Sequence, residues 1–451
     1  MDTGSIGIIL VVIFALCLLL GMRIGSLLLV LGVVGIYIIY GSRLSGILQN
    51  DPFTVVASYS LTPVPLFIFM AHCIMQANIL DHIYYVTFKY SNGRPGIMGV
   101  ITVFIGGFLG AVSGSGTAIS AALTKTVSPQ LLKCGFSKNL SVSTAAIGGS
   151  LAAVIPPSVN LIIYGSLTET SVGKLFMGAL IPGLLLMLVY ALCVALTYQI
   201  FEKPKADISR NVLLDEVSAT IDLETIGMGK EINFKDTIIA FIMAIMLVII
   251  VLGGIYTGVF TPTEAAAIAT FISIIYCYLL KRLNWDFLRE SLKNTLNITA
   301  MVMFIMVAAQ IFGRFIAFIK LPAFIISLLN PILDKPMLIL MLLMIIFFII
   351  GMFLESIAGM VMAVPITLPL MDAAGIDPLW FGIMVGLLLC IGLVTPPIGM
   401  AVFSASGVSG VKLGAIFKYT MSWALIGFII VGGLMILFPE IALWLPSHMT
   451  S

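Results

Sequence analysis

Apolar residues run along this chain in long blocks, and the polar positions fall between the blocks. About 20 apolar residues suffice for a helix to cross a bilayer. The blocks predict helices at roughly 5–21 and 24–40, joined by a tight turn near Met22 and Arg23. Residues 42–60 are mixed in polarity and read as interfacial. Pro63 and Pro65 open a run to about Leu80, followed by a wet turn through Lys89, Asn92, Gly93 and Arg94. A further helix begins near Gly96, and another spans about 175–200. Further spans are predicted at about 295–313, 337–354, 378–394 and 419–438. Pro322, Pro331, Pro336, Pro365 and Pro369 punctuate the shorter segments between them. Residues 284–293 set Trp285, Phe287 and Leu288 among charges, the pattern of a helix lying in the interface. Ahead of the preceding span, Thr261 is placed to cap a helix, with Pro262 at its first position and Glu264 in its first turn. The predicted fold is an all-α polytopic membrane protein with about eleven or twelve transmembrane helices plus two re-entrant hairpins.

Two kinds of interruption break this pattern at bilayer depth. Gly-Phe-Leu-Gly-Ala-Val-Ser-Gly-Ser-Gly, residues 107–116, sits where a spanning helix should still be running. Ile155-Pro156-Pro157-Ser158 then falls inside another apolar span. Both recur in the second half, as Gly351-Met352-Phe353-Leu354-Glu355-Ser356 and Thr395-Pro396-Pro397. Gly110 matches Gly351, Pro129 matches Pro369, Gly135 matches Gly375, and the two proline pairs match, all at an offset of about 240 residues. Ser171 through Leu175 likewise resembles Ser409 through Leu413. Unsatisfied backbone in hydrocarbon is so unfavourable that helix breaks persist only where they line a buried or watery site. In secondary transporters such breaks hold substrate and coupling ions. Residues 117–140 are amphipathic, and read either as the second arm of a hairpin or as a basic loop.

Composition narrows the class. Of 451 residues, 61% are hydrophobic and 9% charged, against about 25% charged in soluble domains. The net charge of +2 comes without any basic patch interleaved with aromatics, so no nucleic-acid partner is implied. The six cysteines form no CxxC pair and read as small core residues. The three histidines, His72, His82 and His448, lack metal-ligand spacing. Residues 202–236 are the longest polar stretch and join the two halves.

Several motifs occur together in one order: Gly110 to Gly116, Ile155-Pro156-Pro157-Ser158 with Tyr164-Gly165, Ser171-Val172-Gly173, Pro262-Thr263-Glu264-Ala265-Ala266, Gly375-Ile376-Asp377-Pro378, and Thr395-Pro396-Pro397-Ile398-Gly399. With them the chain resembles the large membrane subunit of a tripartite ATP-independent periplasmic (TRAP) transporter, over nearly its whole length. The resemblance implies an inverted-repeat fold with an elevator-type scaffold and transport domain. It implies N-terminal scaffold helices over 1–60 and a first inverted repeat over 61–201. A linker with scaffold and interfacial helices follows over 202–293, and a second inverted repeat over 294–451. It implies Na⁺-coupled import of an organic anion, a carboxylate such as a sugar acid or C4-dicarboxylate, across a bacterial inner membrane. It also implies two partners, a small membrane subunit and a periplasmic substrate-binding protein, and no enzymatic activity.

The resemblance places Na⁺ at Ser113, Ala152, Ile155 and Pro157 in the first repeat. In the second it places Na⁺ at Ala358, Gly392, Thr395 and Ile398. Backbone carbonyls and a few hydroxyls provide the oxygen ligands at such breaks. The substrate candidates are Ser115, Ser158, Asn160, Arg314, Glu355 and Ser356, because half-helix N-termini and hydroxyls hold a carboxylate. Arg314 and Glu355 interrupt apolar sequence, and ionisable residues at such depth are functional candidates by default. Arg314 either faces the substrate carboxylate, pairs with Glu355, or snorkels from a helix end. The family commonly has Asp near the Glu355 position. The rival readings are a stand-alone divalent-anion/sodium symporter, a channel and an intramembrane enzyme; for the last, Ser113 and Ser115 have no evident base.

Overall fold

The computed structural model describes residues 20–41, 44–76, 94–113, 115–202 and 246–449, with isolated positions among 9–17 and at 242–243. Most of the predicted first helix, the turn through Lys89, Asn92 and Gly93, His82, and linker residues 203–236 lie outside the described residues. Among the described residues the protein is helical, with no strand. In chain order the first four helices are α1 (Ile24–Tyr40), α2 (Leu44–Val56), α3 (Pro63–Gln76) and α4 (Pro95–Ser113). Then come α5 (Gly116–Thr126), α6 (Ser128–Lys133), α7 (Lys138–Ser150), α8 (Val159–Thr168) and α9 (Val172–Thr197), which runs on through a π turn to Glu202. A short apolar helix, Met246–Tyr256, precedes α10 (Pro262–Leu279) and α11 (Trp285–Phe318). The chain closes with α12 (Leu321–Leu333), α13 (Pro336–Phe353), α14 (Ser356–Ala373), α15 (Pro378–Gly392), α16 (Met400–Ser409), α17 (Leu413–Gly427) and α18 (Glu440–Ser447). Seven helical stretches of this set have the length and hydropathy to cross a bilayer, and seven shorter apolar helices of 10–17 residues accompany them. Broken helices and hairpin arms give short pieces of this kind.

Local sequence explains most boundaries. α10 begins with a full capping box: Thr261 Oγ1 accepts from Glu264 N at 3.3 Å, and Glu264 Oε2 accepts from Thr261 N at 2.8 Å. Two expectations need correction. The predicted interfacial segment 284–293 and the span 295–313 form one helix of 34 residues, α11. Asn284 caps it, accepting from Phe287 N at 2.7 Å, and no proline interrupts it. Pro365 and Pro369 lie inside α14 rather than between helices. Prolines persist in membrane helices where hydroxyl side chains and neighbouring helices satisfy the freed backbone. Pro365 and Pro369 remove the amides that would meet the Val361 and Pro365 carbonyls, and between them Thr367 Oγ1 donates to the carbonyls of Ala363 (3.0 Å) and Val364 (3.3 Å).

The internal repeat extends to hydrogen-bond register. α6 ends at Gly135 (φ 93°) and α14 at Gly375 (φ 66°), both left-handed positions that suit glycine. Phe136 N donates to Leu131 O at 3.1 Å, and Ile376 N to Met371 O at 3.0 Å. Ser137 then caps α7, and Asp377 caps α15. α8 and α16 both end on left-handed residues, Glu169 and Gly410. The structural register therefore pairs Ser171, which caps α9, with Lys412, which occupies the N-cap position of α17, and not with Ser409. The amphipathic stretch after Gly116 is helical: α5 and α6 together occupy the place of the continuous α14.

The two repeats exchange partners. α5 packs on α16, and α8 packs on α14, so each hairpin leans on the other repeat's broken helix. Ser150 and Cys390, which are 240 residues apart and end equivalent helices, meet with Sγ donating to Oγ at 3.8 Å. Such reciprocal packing is what a two-fold relation between repeats requires. Around this body α1 and α2 pack against α11, and α3 packs against α10. Five of the six cysteines are buried, and Cys17 is half-buried.

Candidate ion and substrate site at the helix breaks

Each hairpin meets its own broken helix at glycines. A Cβ on Gly110 of α4 would lie 2.6 Å from the Ala152 backbone, and one on Gly392 would lie 2.5 Å from the Gly351 backbone of α13. Backbone therefore touches backbone at both breaks, and small residues are what permit it.

At the first break α7 gives way to a tight turn over Leu151–Ala153, and Ser158 stands at the N-cap position of α8 without accepting from its amides. Every residue from Leu151 to Asn160 is buried. Ser158 Oγ lies 3.3 Å from Ala152 O and 3.1 Å from Ala153 O, and donates to this carbonyl pair. Asn160 Nδ2 donates to Ala153 O at 3.3 Å. At the second break Thr395 N donates to Gly392 O at 3.0 Å, and Thr395 Oγ1 to Ile391 O at 2.7 Å. Thr420, on α17, donates to Val394 O at 2.9 Å. Gly399 N reaches across to Met352 O on the hairpin at 3.0 Å. Here Pro397 is exposed and Ile398 is 37% exposed. The peptide bonds Pro156–Pro157 and Pro396–Pro397 are both cis.

The hairpin tips carry the polar side chains. Ser115 caps α5, accepting from Ala118 N at 3.4 Å, and shares a 3.1 Å hydrogen bond with Thr117 Oγ1. Glu355 caps α14: its Oε2 accepts from Ile357 N at 3.0 Å and its Oε1 accepts from Ser356 Oγ at 3.4 Å. Ser356 Oγ in turn accepts from Asn160 Nδ2 at 3.1 Å. Four sequence-predicted residues, Ser158, Asn160, Glu355 and Ser356, thus form one network that joins the repeats. Ala152 enters it through Ser158. Ile155, Pro157, Ala358, Gly392, Thr395 and Ile398 line the breaks and the first turn of α14 as backbone positions or small neighbours. Ser113 closes α4, and its side chain lies outside the described residues.

Arg314 is elsewhere. Its Nη2 donates to Asp51 Oδ1 at 2.8 Å and its Nε pairs with the other carboxylate oxygen. The pairing with Glu355 considered above is not formed; the counter-ion is Asp51 on α2. Sequence reasoning missed Asp51, which is 4% exposed, because its segment is polar enough to read as interfacial. It also missed Glu202. The carboxylate of this residue, read as linker, folds back on the α7 N-terminus and accepts from Ser137 N at 2.6 Å and from Ser137 Oγ. An acidic group at a helix N-terminus is favourable.

Chemically, the breaks present carbonyls with unused lone pairs, two threonine or serine hydroxyls, and helix N-termini. Each carbonyl has two lone pairs, so those of Ala152 and Gly392 keep capacity for a cation beside their present hydrogen bond. Thr395 Oγ1 spends its proton on Ile391 O and keeps its lone pairs. The N-termini of α5, α8 and α14 favour anions. An all-helical membrane protein with paired hairpins and paired helix breaks in two exchanged repeats has the architecture of a secondary transporter.

Comparison with known proteins is consistent with that class. Residues 11–441 match the family model described as "Tripartite ATP-independent periplasmic transporter, DctM component", and the chain belongs to this family. It is 30% identical to the isethionate TRAP transporter permease protein DctMQ of Oleidesulfovibrio alaskensis, over 90% of this chain and 61% of that protein. It therefore spans about three fifths of that relative. It is 29% identical to the 2,3-diketo-L-gulonate TRAP transporter large permease protein YiaN of Escherichia coli, covering 91% of this chain and 94% of that one. With the sialic acid TRAP transporter large permease protein SiaM of Vibrio cholerae it shares 28% identity over 87% of both chains. The crystal structure of the Alcanivorax borkumensis YdaH transporter superposes with a TM-score of 0.61 at 13% identity, covering 93% of this chain and 98% of that one. That likeness speaks for the fold. The chain is a multi-pass protein of the bacterial inner membrane.

Proposed function

We propose that this chain is the large membrane subunit of a Na⁺-coupled importer of organic anions. It takes substrate from a periplasmic binding protein and works beside a small membrane subunit. The observation that carries the reading is the pair of equivalent helix breaks, each held against a hairpin by backbone contact and each rich in carbonyls with free lone pairs. Ser113, Ala152, Ile155 and Pro157 form one Na⁺ pole in this reading; Ala358, Gly392, Thr395 and Ile398 form the other. Ser115, Ser158, Glu355 and Ser356 face the substrate, with Asn160 behind them and Arg314 held by Asp51. Hairpins and breaks move together against α1, α2, α10 and α11 in an elevator step. The relatives' names give substrates that carry a carboxylate or sulfonate, among them isethionate, 2,3-diketo-L-gulonate and sialic acid. Helix N-termini suit that group. Each net positive charge carried inward gains about 2.3 kcal/mol per 100 mV.

The test is uptake into proteoliposomes holding the chain and its small subunit, with an imposed Na⁺ gradient, with and without binding protein. Radiolabelled sialic acid, isethionate and succinate serve as probes. Uptake that needs both Na⁺ and binding protein is the expected result. Uptake that proceeds without binding protein would instead make the chain a stand-alone sodium symporter.

A further inference from the structure

The hydrogen bonds between the repeats run in one buried chain. Ala153 O accepts from Asn160 Nδ2, which also donates to Ser356 Oγ; Ser356 Oγ donates to Glu355 Oε1; and Glu355 Oε2 accepts from Ile357 N. Asn160 and Ser356 are both fully buried. The amide orientation follows from its neighbours. Ala153 O is an acceptor only, so it must face the N–H side, and Ser356 directs its own proton to Glu355. Asn160 Oδ1 is then left buried with no donor. An unmet buried acceptor is unfavourable, so the side chain is held there by its two donor contacts.

The side chains of this link have no counterparts at the equivalent positions of the other contact. By cap register the repeat places Ala401 where Asn160 stands and Gly116 where Ser356 stands. Neither Ala401 nor Gly116 has a polar side-chain atom, so these two positions cannot repeat at the α5–α16 contact the hydrogen bond of the α8–α14 contact. The linked atoms are also not peripheral. Ala153 directly follows Ala152 of the first break, and Glu355 and Ser356 precede Ala358 at the second hairpin tip. We infer that Asn160 is the positioning residue that couples the two breaks, so that Na⁺ bound at one raises affinity at the other. This rests on the reading of the breaks as Na⁺ poles given above. A shift of the Ala153 carbonyl toward an ion moves the Asn160 amide, and the amide carries the Glu355–Ser356 tip with it. Coupling is a free energy shared by both sites.

The experiment uses the purified complex of the chain with its small subunit and Na⁺ alone as probe. NaCl is exchanged for choline chloride at constant ionic strength, and the unfolding temperature is followed by tryptophan fluorescence. The wild type is expected to be stabilised by Na⁺ with a Hill coefficient above 1. Asn160→Ala and Ser356→Ala, which cut the link from opposite ends, are expected to lower the coefficient to about 1 and raise half-saturation about tenfold. Ser356→Thr keeps the oxygen and should restore the wild-type curve. If Asn160→Ala does not fold, Ser356→Ala reads the same link. Variants that lower the Na⁺-free unfolding temperature but keep the wild-type Hill coefficient overturn the inference and leave Asn160 a packing residue. A wild type indifferent to Na⁺ overturns the sodium reading itself, and the coupling with it.

Discussion

At the first break every residue from Leu151 to Asn160 is buried, and its carbonyls are met by Ser158 and Asn160 from the same segment. At the second, Pro397 and Ile398 reach the surface; Thr395 meets the Ile391 and Gly392 carbonyls and the Ala401 amide meets Leu393 O, but Val394 O is met from a separate helix, by Thr420 on α17. The frames are equivalent down to glycine contacts and cap register, so the frame does not set the difference. A few side chains do: Ser158 and Asn160 stand where the second repeat, by cap register, has Gly399 and Ala401. One symmetric scaffold thus yields a closed, self-satisfied pole and an open one. In the proposed transport cycle the open pole exchanges ions with water, and the closed one holds its geometry.

The largest disturbance to this comparison attacks the shared frame. Gly392→Val would drive a side chain into the Gly351 backbone, where even a Cβ lies at 2.5 Å. Overpacking typically costs about 1–3 kcal/mol, occasionally more, and backbone has no rotamer with which to yield. The variant should insert poorly and unfold at a much lower temperature; a normal unfolding temperature would show that the frame tolerates separation. Arg314→Ala should come next. It leaves Asp51 buried without its counter-ion, a loss of about 3–5 kcal/mol for a fully buried pair. The arginine side chain is 46% exposed, so solvent screening reduces this to about 1–2 kcal/mol. Stability should fall while the substrate concentration at half-maximal uptake stays put. A raised half-maximal concentration at unchanged stability would return Arg314 to the substrate. Smaller again, Thr395→Val removes a hydroxyl at the open pole and should raise the Na⁺ requirement of uptake about tenfold, or 1.4 kcal/mol. Substrate preference should not change. An unaltered Na⁺ requirement would remove Thr395 from the proposed ligands.

Elements whose cause is local were legible in the sequence. Ile24–Tyr40 was placed to the residue by its apolar run, and the α10 cap was readable from Thr261, Pro262 and Glu264. The two breaks announced themselves by Gly-Ser and Pro-Pro at bilayer depth. What escaped depends on pairs far apart in sequence. Arg314 and Asp51 are separated by 263 residues, Asn160 and Ser356 by 196, and Ser137 and Glu202 by 65. No local pattern links such partners; only the folded exchange of hairpins between repeats brings Asn160 to Ser356. The continuous α11 escaped for a different reason. Its charged first turns read as a separate interfacial helix, and periodicity alone does not say whether two helical stretches join.

The contrast between a closed and an open break is tested most directly by thiol labelling in intact membrane vesicles, with Cys17 replaced by serine and the five buried native cysteines retained. Single variants Ile398→Cys and Ser158→Cys are exposed to a water-soluble maleimide, with and without Na⁺. Ile398→Cys is expected to label, and to label more slowly in Na⁺, while Ser158→Cys stays unlabelled in both conditions. Equal labelling of the two positions, or labelling at Ile398→Cys that Na⁺ does not change, would contradict the account.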